Sequence, residues 1–182
     1  VLVYTKGAPI SIKVDSYKFI GKGVVAGIPF PVILLLILYL IAHYLLTQTS
    51  FGRNVYAFGG NREAARLSGI RVGRIKYLVF SISGFFAGLA GIVMLSRTNS
   101  GMPNAGLGYE FDVITCVVLG GVSVAGGYGK ISGVVAGTFI IGALQNGMVL
   151  MNINSFIQDI VMGVVLALAV GFDCIQKKSQ QN

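Results

Sequence analysis

Acidic side chains are scarce, with six Asp and Glu against fourteen Lys and Arg, and His43 is the single histidine. A membrane-embedded enzyme needs His, Asp, Glu or Ser clustered at catalytic spacing, and one His with scattered carboxylates offers none. No metal-ligand spacing occurs either. Of the two cysteines, Cys116 and Cys174 stand far apart in apolar surroundings. Both read as small buried hydrophobes and not as a disulfide. The phosphate-cradling pattern Gly-x4-Gly-Lys-Ser/Thr is missing, so any ATP must be bound by another chain. Also missing are an initiator Met and the basic-then-apolar-then-small order of a signal peptide. Val1 to Tyr4 reads as the tail of an earlier apolar segment, and the chain is expected to be a fragment.

What is abundant is apolar sequence. Hydrophobic residues make up 54% of the 182 and charged ones 11%, and the mean hydropathy is +0.79, above that of an average soluble domain. Ile28 to Leu46 holds no Lys, Arg, Asp or Glu, and a run of about 18 such residues suffices to span a bilayer. The length accommodates about five spans and no separate catalytic module. The expected fold is all-α, a polytopic transmembrane helical bundle in one domain over 1–182. Its membrane segments fall at about 28–46, 77–95, 111–127, 131–151 and 156–175. Pro29 and Pro31 open the first of these, where a missing amide donor costs little. Lys6 to Gly23, Thr47 to Lys76 and Arg97 to Glu110 read as loops. Gly84/Gly88 and Gly133/Gly137 have the spacing of close helix contacts.

Segment 111–127 is short and ends in Gly120-Gly121 and Gly126-Gly127, so it either crosses or is re-entrant. The net charge of +8 lies in loops between apolar runs, which records topology and argues against nucleic acid. If the segment crosses, loop 47–76, Lys130 and the tail Lys177/Lys178 share a side holding nine of the fourteen Lys and Arg. If it is re-entrant, the division becomes six against eight. The positive-inside rule favours a crossing, with loop 47–76 and the C-terminus in the cytoplasm.

Loop 47–76 carries the best clue to function. In Gly60-Asn61-Arg62-Glu63-Ala64-Ala65-Arg66-Leu67-Ser68-Gly69, Asn61 is a good N-cap, Glu63 sits in the first turn and Gly69 is placed to end a helix in the left-handed conformation. So short a helix is marginal alone and should lie against something. Small Ala64 and Ala65 admit a close partner, Leu67 supplies an apolar anchor, and Arg53, Arg62, Arg66, Arg71, Arg74 and Lys76 surround them. The plainer alternative is a topogenic loop whose arginines only hold orientation.

Glu63-Ala64-Ala65 followed by Gly69 matches EAAxxxG, and the stretch from Phe51-Gly52-Arg53-Asn54 to Ile70 resembles the permease subunits of ATP-binding-cassette importers for ribose, xylose, arabinose and autoinducer-2. Leu119-Gly120-Gly121-Val122-Ser123 with Gly126-Gly127-Tyr128-Gly129, and Gly27-Ile28-Pro29-Phe30-Pro31, resemble further segments of the same family. The Ile-x-Leu-Pro continuation of other branches is absent, since Val79-Phe80-Ser81-Ile82 stands there. Family permeases run to roughly twice this size, so the chain resembles the C-terminal portion. The resemblance implies a multi-pass protein of the bacterial inner membrane with no chemistry of its own. It implies a coupling helix at Gly60, Asn61, Arg62, Glu63, Ala64, Ala65, Arg66, Leu67 and Gly69. The implied partners are an ATPase subunit that binds ATP-Mg, a second permease copy and an extracytoplasmic sugar-binding protein, all at a lipid membrane.

Polar groups inside spans are functional candidates by default. Gln145 and Asn146, with Gly120 and Gly121 at a helix break, line a path for a hydroxylated solute or serve interhelical hydrogen bonds and packing. Gln158 and Asp159 pose the same choice. Arg97, Glu110 and Asp112 fall on the outer face, where the resemblance implies contact with the binding protein. His43 reads as structural, and Asp173 beside Lys177 and Lys178 as an interfacial charge group. An ion-coupled secondary transporter and a truncated, inactive permease remain as alternative readings.

Overall fold

The computed structural model describes residues 8–11, 15–102 and 104–180, the side chains at 11, 15, 16 and 176–180 excepted. Val1 to Tyr4, Lys6, Lys13 and the side chains of Lys177 and Lys178 lie outside the described residues. The elements in chain order are β1 (Ile10–Ser11), α1 (Asp15–Lys22), β2 (Val24–Val25), β3 (Ile28–Pro29), α2 (Phe30–Thr47), α3 (Ser50–Gly60), α4 (Arg62–Leu67), α5 (Val72–Thr98), β4 (Ser100–Gly101), α6 (Tyr109–Leu119), α7 (Ile131–Leu150) and α8 (Ser155–Gln180). They group into two compact units, 1–53 with 69–105 and 54–68 with 106–182.

In the first unit, β2 and β3 form a hairpin with Val24 opposite Pro29 and Val25 opposite Ile28. Its two-residue turn puts Ala26 and Gly27 at φ +51° and +82°, the sign that two-residue hairpin turns demand. The hairpin delivers the chain to α2, where Pro29 is the N-cap and Pro31 lies in the first turn, as the missing amide donors allow. Part of the stretch read as a loop from Lys6 to Gly23 is the helix α1. Eight residues rarely hold a helix alone, and α1 is seated on α2 and α5. Ser96 is fully buried there; its hydroxyl donates to the Tyr17 carbonyl at 2.6 Å and accepts from the Gly21 amide at 2.7 Å. The Tyr17 hydroxyl donates in turn to the Ile92 carbonyl at 2.9 Å.

Helix α5 runs 27 residues, about 40 Å at the α-helical rise, against a hydrocarbon core of about 30 Å. It therefore starts before and ends after the expected 77–95, and its two ends carry Arg74, Lys76 and Arg97. Asn99 closes it with φ +57°, a conformation Asn tolerates better than most residues. The pair Gly84/Gly88 has nothing within 4 Å of an added Cβ, so the close packing expected there is not made among the described residues.

The second unit is built on α6, α7 and α8, with α6 packed on both others. Here the glycine spacing is used. A Cβ on Gly133 would strike the Gly120 carbonyl, and one on Gly137 the Cys116 carbonyl. The α6 and α7 backbones therefore touch. Thr115, at 1% exposure, returns its hydroxyl to the Phe111 carbonyl at 2.7 Å, and Ile141 and Met148 fill the core. Both cysteines are free; Cys116 is half-buried, but Cys174 is exposed, contrary to its reading as a buried hydrophobe.

Among the described residues, four helices are long and apolar enough to cross a membrane: Phe30–Thr47, Val72–Thr98, Ile131–Leu150 and Ser155–Ile175. In the most apolar windows of the first two, no residue is buried inside the chain. Such surfaces suit a lipid surround, not water. The fifth segment is α6, whose 11 residues rise about 16 Å, roughly half the hydrocarbon thickness, before the chain breaks at Gly120-Gly121. The architecture is an all-α polytopic bundle with one short, glycine-broken segment.

Candidate functional site

The loop between α2 and α5 is mostly helical. A turn of Gln48 and Thr49 leads into α3, and α4 follows after the single residue Asn61. The Thr49 hydroxyl donates to the Leu45 carbonyl at 2.5 Å and accepts the Gly52 amide at 3.3 Å, which turns the chain out of α2. Helix α3 escapes a reading by propensity because Gly52, Asn54, Gly59 and Gly60 disfavour helix.

Helix α4 is capped as its residues dictate. The Asn61 side-chain oxygen accepts the amides of Glu63 at 3.0 Å and Ala64 at 2.9 Å, two of the donors a helix start leaves unpaired. Glu63 lies in the first turn and Arg66 in the last, each with the sign the helix dipole favours. Ser68 donates its hydroxyl to the Ala64 carbonyl at 2.9 Å, and Gly69 follows at φ +80°. One face is inward, with Ala65 at 4% exposure; Leu67, at 85%, is offered outward. Arg62, Glu63, Arg66 and Leu67 line an open concavity of about 620 Å³. Arg62 lies 6.0 Å over the Phe58 ring, the geometry of a cation–π contact. An exposed leucine thus stands beside two arginines on a capped helix.

Gly59 and Gly60, just before the cap, meet Gly126 and Gly127 of the turn between α6 and α7. A Cβ on Gly59 would lie 2.6 Å from the Gly127 nitrogen, one on Gly126 2.7 Å from the Gly59 carbonyl oxygen, and one on Gly127 2.6 Å from the Gly60 Cα. Only backbone can come this near. Gly126 and Gly127 also hold φ +90° and +80°. The Tyr56 hydroxyl donates to the Gly129 carbonyl at 2.8 Å. From the far side, one Asp173 carboxylate oxygen accepts the Ser123 hydroxyl and the Val124 amide, each at 3.1 Å. Asp173 is therefore more than the interfacial charge its neighbours suggested.

The other candidates divide. Gln145 donates to the Asp112 carboxylate at 3.0 Å, joining a residue read as path-lining to one read as an outer contact. Asn146 is exposed, Gly120 is packed on Gly133, and Gly121 at φ +80° is open. Glu110 and Asp112 occupy the first turn of α6; Arg97 belongs to the other unit. Gln158 donates to the Ile153 carbonyl at 2.7 Å, and His43 stacks on Tyr39 with ring centroids 6.0 Å apart. The sequence assigned no role to Tyr56 or Ser123, and to Asp173 only that of an interfacial charge group. The paired glycines at 59–60 and 126–127 were the available signal, and each pair was read without its partner.

Residues 4–170 match the family model described as the branched-chain amino acid transport system / permease component. The chain is 46% identical over 180 residues to the ribose import permease protein of Bacillus subtilis (strain 168), covering 98% of this chain and 55% of that protein. It is 44% identical over 179 residues to the L-arabinose transport system permease protein of Escherichia coli (strain K12), covering 98% and 55%. To the xylose transport system permease protein of the same strain it is 48% identical over 152 residues, covering 84% and 39%. The chain thus spans about half the length of the relatives it matches. No solved structure matches it at a significant level.

Proposed function

The chain belongs to the permease-component family of bacterial importers, as a multi-pass protein of the inner membrane, and from that premise we propose that it moves a monosaccharide-like solute driven by ATP hydrolysed on a partner subunit. The capped helix Arg62–Leu67, with Leu67 85% exposed, carries this reading. It is a rigid projection with an apolar tip and guanidinium flanks, and an ATPase subunit grips it from the cytoplasm. ATP-Mg binds on that subunit. A binding protein delivers solute on the opposite face, where Arg97, Glu110 and Asp112 are the proposed contacts. A second permease copy completes the pathway.

Sidedness is part of the proposal. Tyr56 to Gly60, the turn 120–130 and Asp173 share one end of the second unit, which supports a common cytoplasmic location for loop 47–76, Lys130 and the C-terminus. Within the proposed path, Gln145 is engaged by Asp112 and Gly120 by Gly133, leaving exposed Asn146 and Gly121 open to a solute.

The test is co-purification with an ATPase subunit from membranes expressing both. Glu63→Lys, which opposes the dipole at the helix start, and Gly69→Pro, which cannot adopt φ +80°, are expected to abolish the complex. An unaltered complex, or none with the natural chain, refutes the reading.

A further inference from the structure

Three segments remote in sequence converge beside the coupling helix, and the contact between two of them is unusual in kind. Gly59 and Gly60 touch Gly126 and Gly127 backbone to backbone, with no side chain between them. A side-chain contact absorbs a small displacement by changing rotamer. Two close-packed backbones have no such slack and pass a shift on as strain. The turn is also stiff. The Ser123 amide donates to the Tyr128 carbonyl at 3.0 Å and the Gly126 amide to the Ser123 carbonyl at 3.0 Å. A Cβ on Gly129 would meet the Val122 side chain at 2.9 Å. Tyr56 fastens one flank through Gly129, and Asp173 of α8 fastens the other through Ser123 and Val124. Beyond the turn, Gly120 rests on Gly133 of α7.

We infer that the turn Ser123–Gly129 is the link through which movement of helix Arg62–Leu67 reaches α6, α7 and α8, with Gly59, Gly126, Gly127, Tyr56 and Asp173 as its positioning residues. This rests on the coupling reading above. The helix is one residue from Gly60, so a push on α4 displaces the Gly59–Gly60 carbonyls. These bear on Gly126 and Gly127, and the turn, clamped by Tyr56 and Asp173, carries with it the end of α6, the start of α7 and, through Asp173, α8.

Spatial intermediacy alone does not establish coupling, so the experiment reads coupling itself. In the assembled importer, reconstituted in vesicles with its ATPase and binding protein, solute moved per ATP hydrolysed is compared between two variants of identical chemistry. Among the described residues, a Cβ at residue 142 of α7 meets nothing within 4 Å, whereas at residue 59 it meets the Gly127 nitrogen at 2.6 Å. Gly142→Ala is expected to keep the natural ratio. Gly59→Ala is expected to lower it about tenfold, within the range seen for residues lying between coupled sites, while the ATPase stays bound. Equal ratios in the two variants overturn the inference. If Gly59→Ala fails to accumulate, Tyr56→Phe decides, because it removes the bond to Gly129 and adds no atoms: a several-fold loss supports the link, and an unchanged ratio overturns it. Absence of ATPase from the natural chain's complex is a separate result, and it sinks the coupling reading with the inference.

Discussion

Replacing Asn61 by alanine removes one side-chain oxygen and leaves the amides of Glu63 and Ala64 without the partner they have at 3.0 and 2.9 Å. An N-cap lost to alanine costs ~1 kcal/mol. In a helix of six residues there is little else to offset that loss. The seat of Ala65, at 4% exposure, is untouched, so the chain still folds and the loss is confined to local opening. The amides that report it are Ala65, bonded to the Asn61 carbonyl at 3.0 Å, and Ser68, bonded to the Ala64 carbonyl at 3.0 Å. A cost of ~1 kcal/mol multiplies the open population about fivefold, and hydrogen exchange at residues 65 and 68 accelerates by that factor in a nanodisc. Asn61→Asp keeps the acceptor and places a negative charge at the helix start, which is stabilising. Its exchange equals or falls below that of the natural chain. Should the Ala and Asp variants exchange alike, the side-chain cap is not what holds α4 and the reasoning fails.

Four further outcomes follow from the same geometry. Gly69 sits at φ +80° with open space around it, so Gly69→Ala costs about 1–2 kcal/mol of backbone strain alone; Gly69→Asn costs less, and exchange at Ser68 ranks the two. Gly137→Ala drives a methyl group into the Cys116 carbonyl and lowers thermal stability in detergent by the equivalent of about 1–3 kcal/mol. Gly84→Ala, with nothing within 4 Å among the described residues, gains helix propensity, and a melting temperature below the natural value contradicts that placement. Asp173→Ala leaves the Ser123 hydroxyl, in a residue 8% exposed, without its acceptor and costs about 1–3 kcal/mol; Asp173→Asn costs less, and equal melting temperatures for the two variants count against the bond.

Much of this architecture is written in local signals. The apolar runs set four long helices, and Asn61, Glu63 and Gly69 placed α4 to within a residue, because capping is decided by neighbours a few positions away. The unread parts depend on distant partners. Helix α3 carries four residues that disfavour helix, and its glycines acquire a purpose only against Gly126 and Gly127. Helix α1 looks like a polar loop until Ser96, far along the chain, supplies its seat. The glycine pairs make the same point: 133/137 and 84/88 share one spacing, yet among the described residues only the first has a backbone to meet.

The meeting of Gly59 and Gly60 with Gly126 and Gly127 also bears on how chimeras between related permeases should be cut. A transplant that exchanges only the stretch around α4 sets one chain's glycines against another's turn, with tolerances of tenths of an ångström. Residues 56–69 and 120–129 are therefore a single interchangeable module split across the polypeptide, and donor sequence has to be moved at both places together.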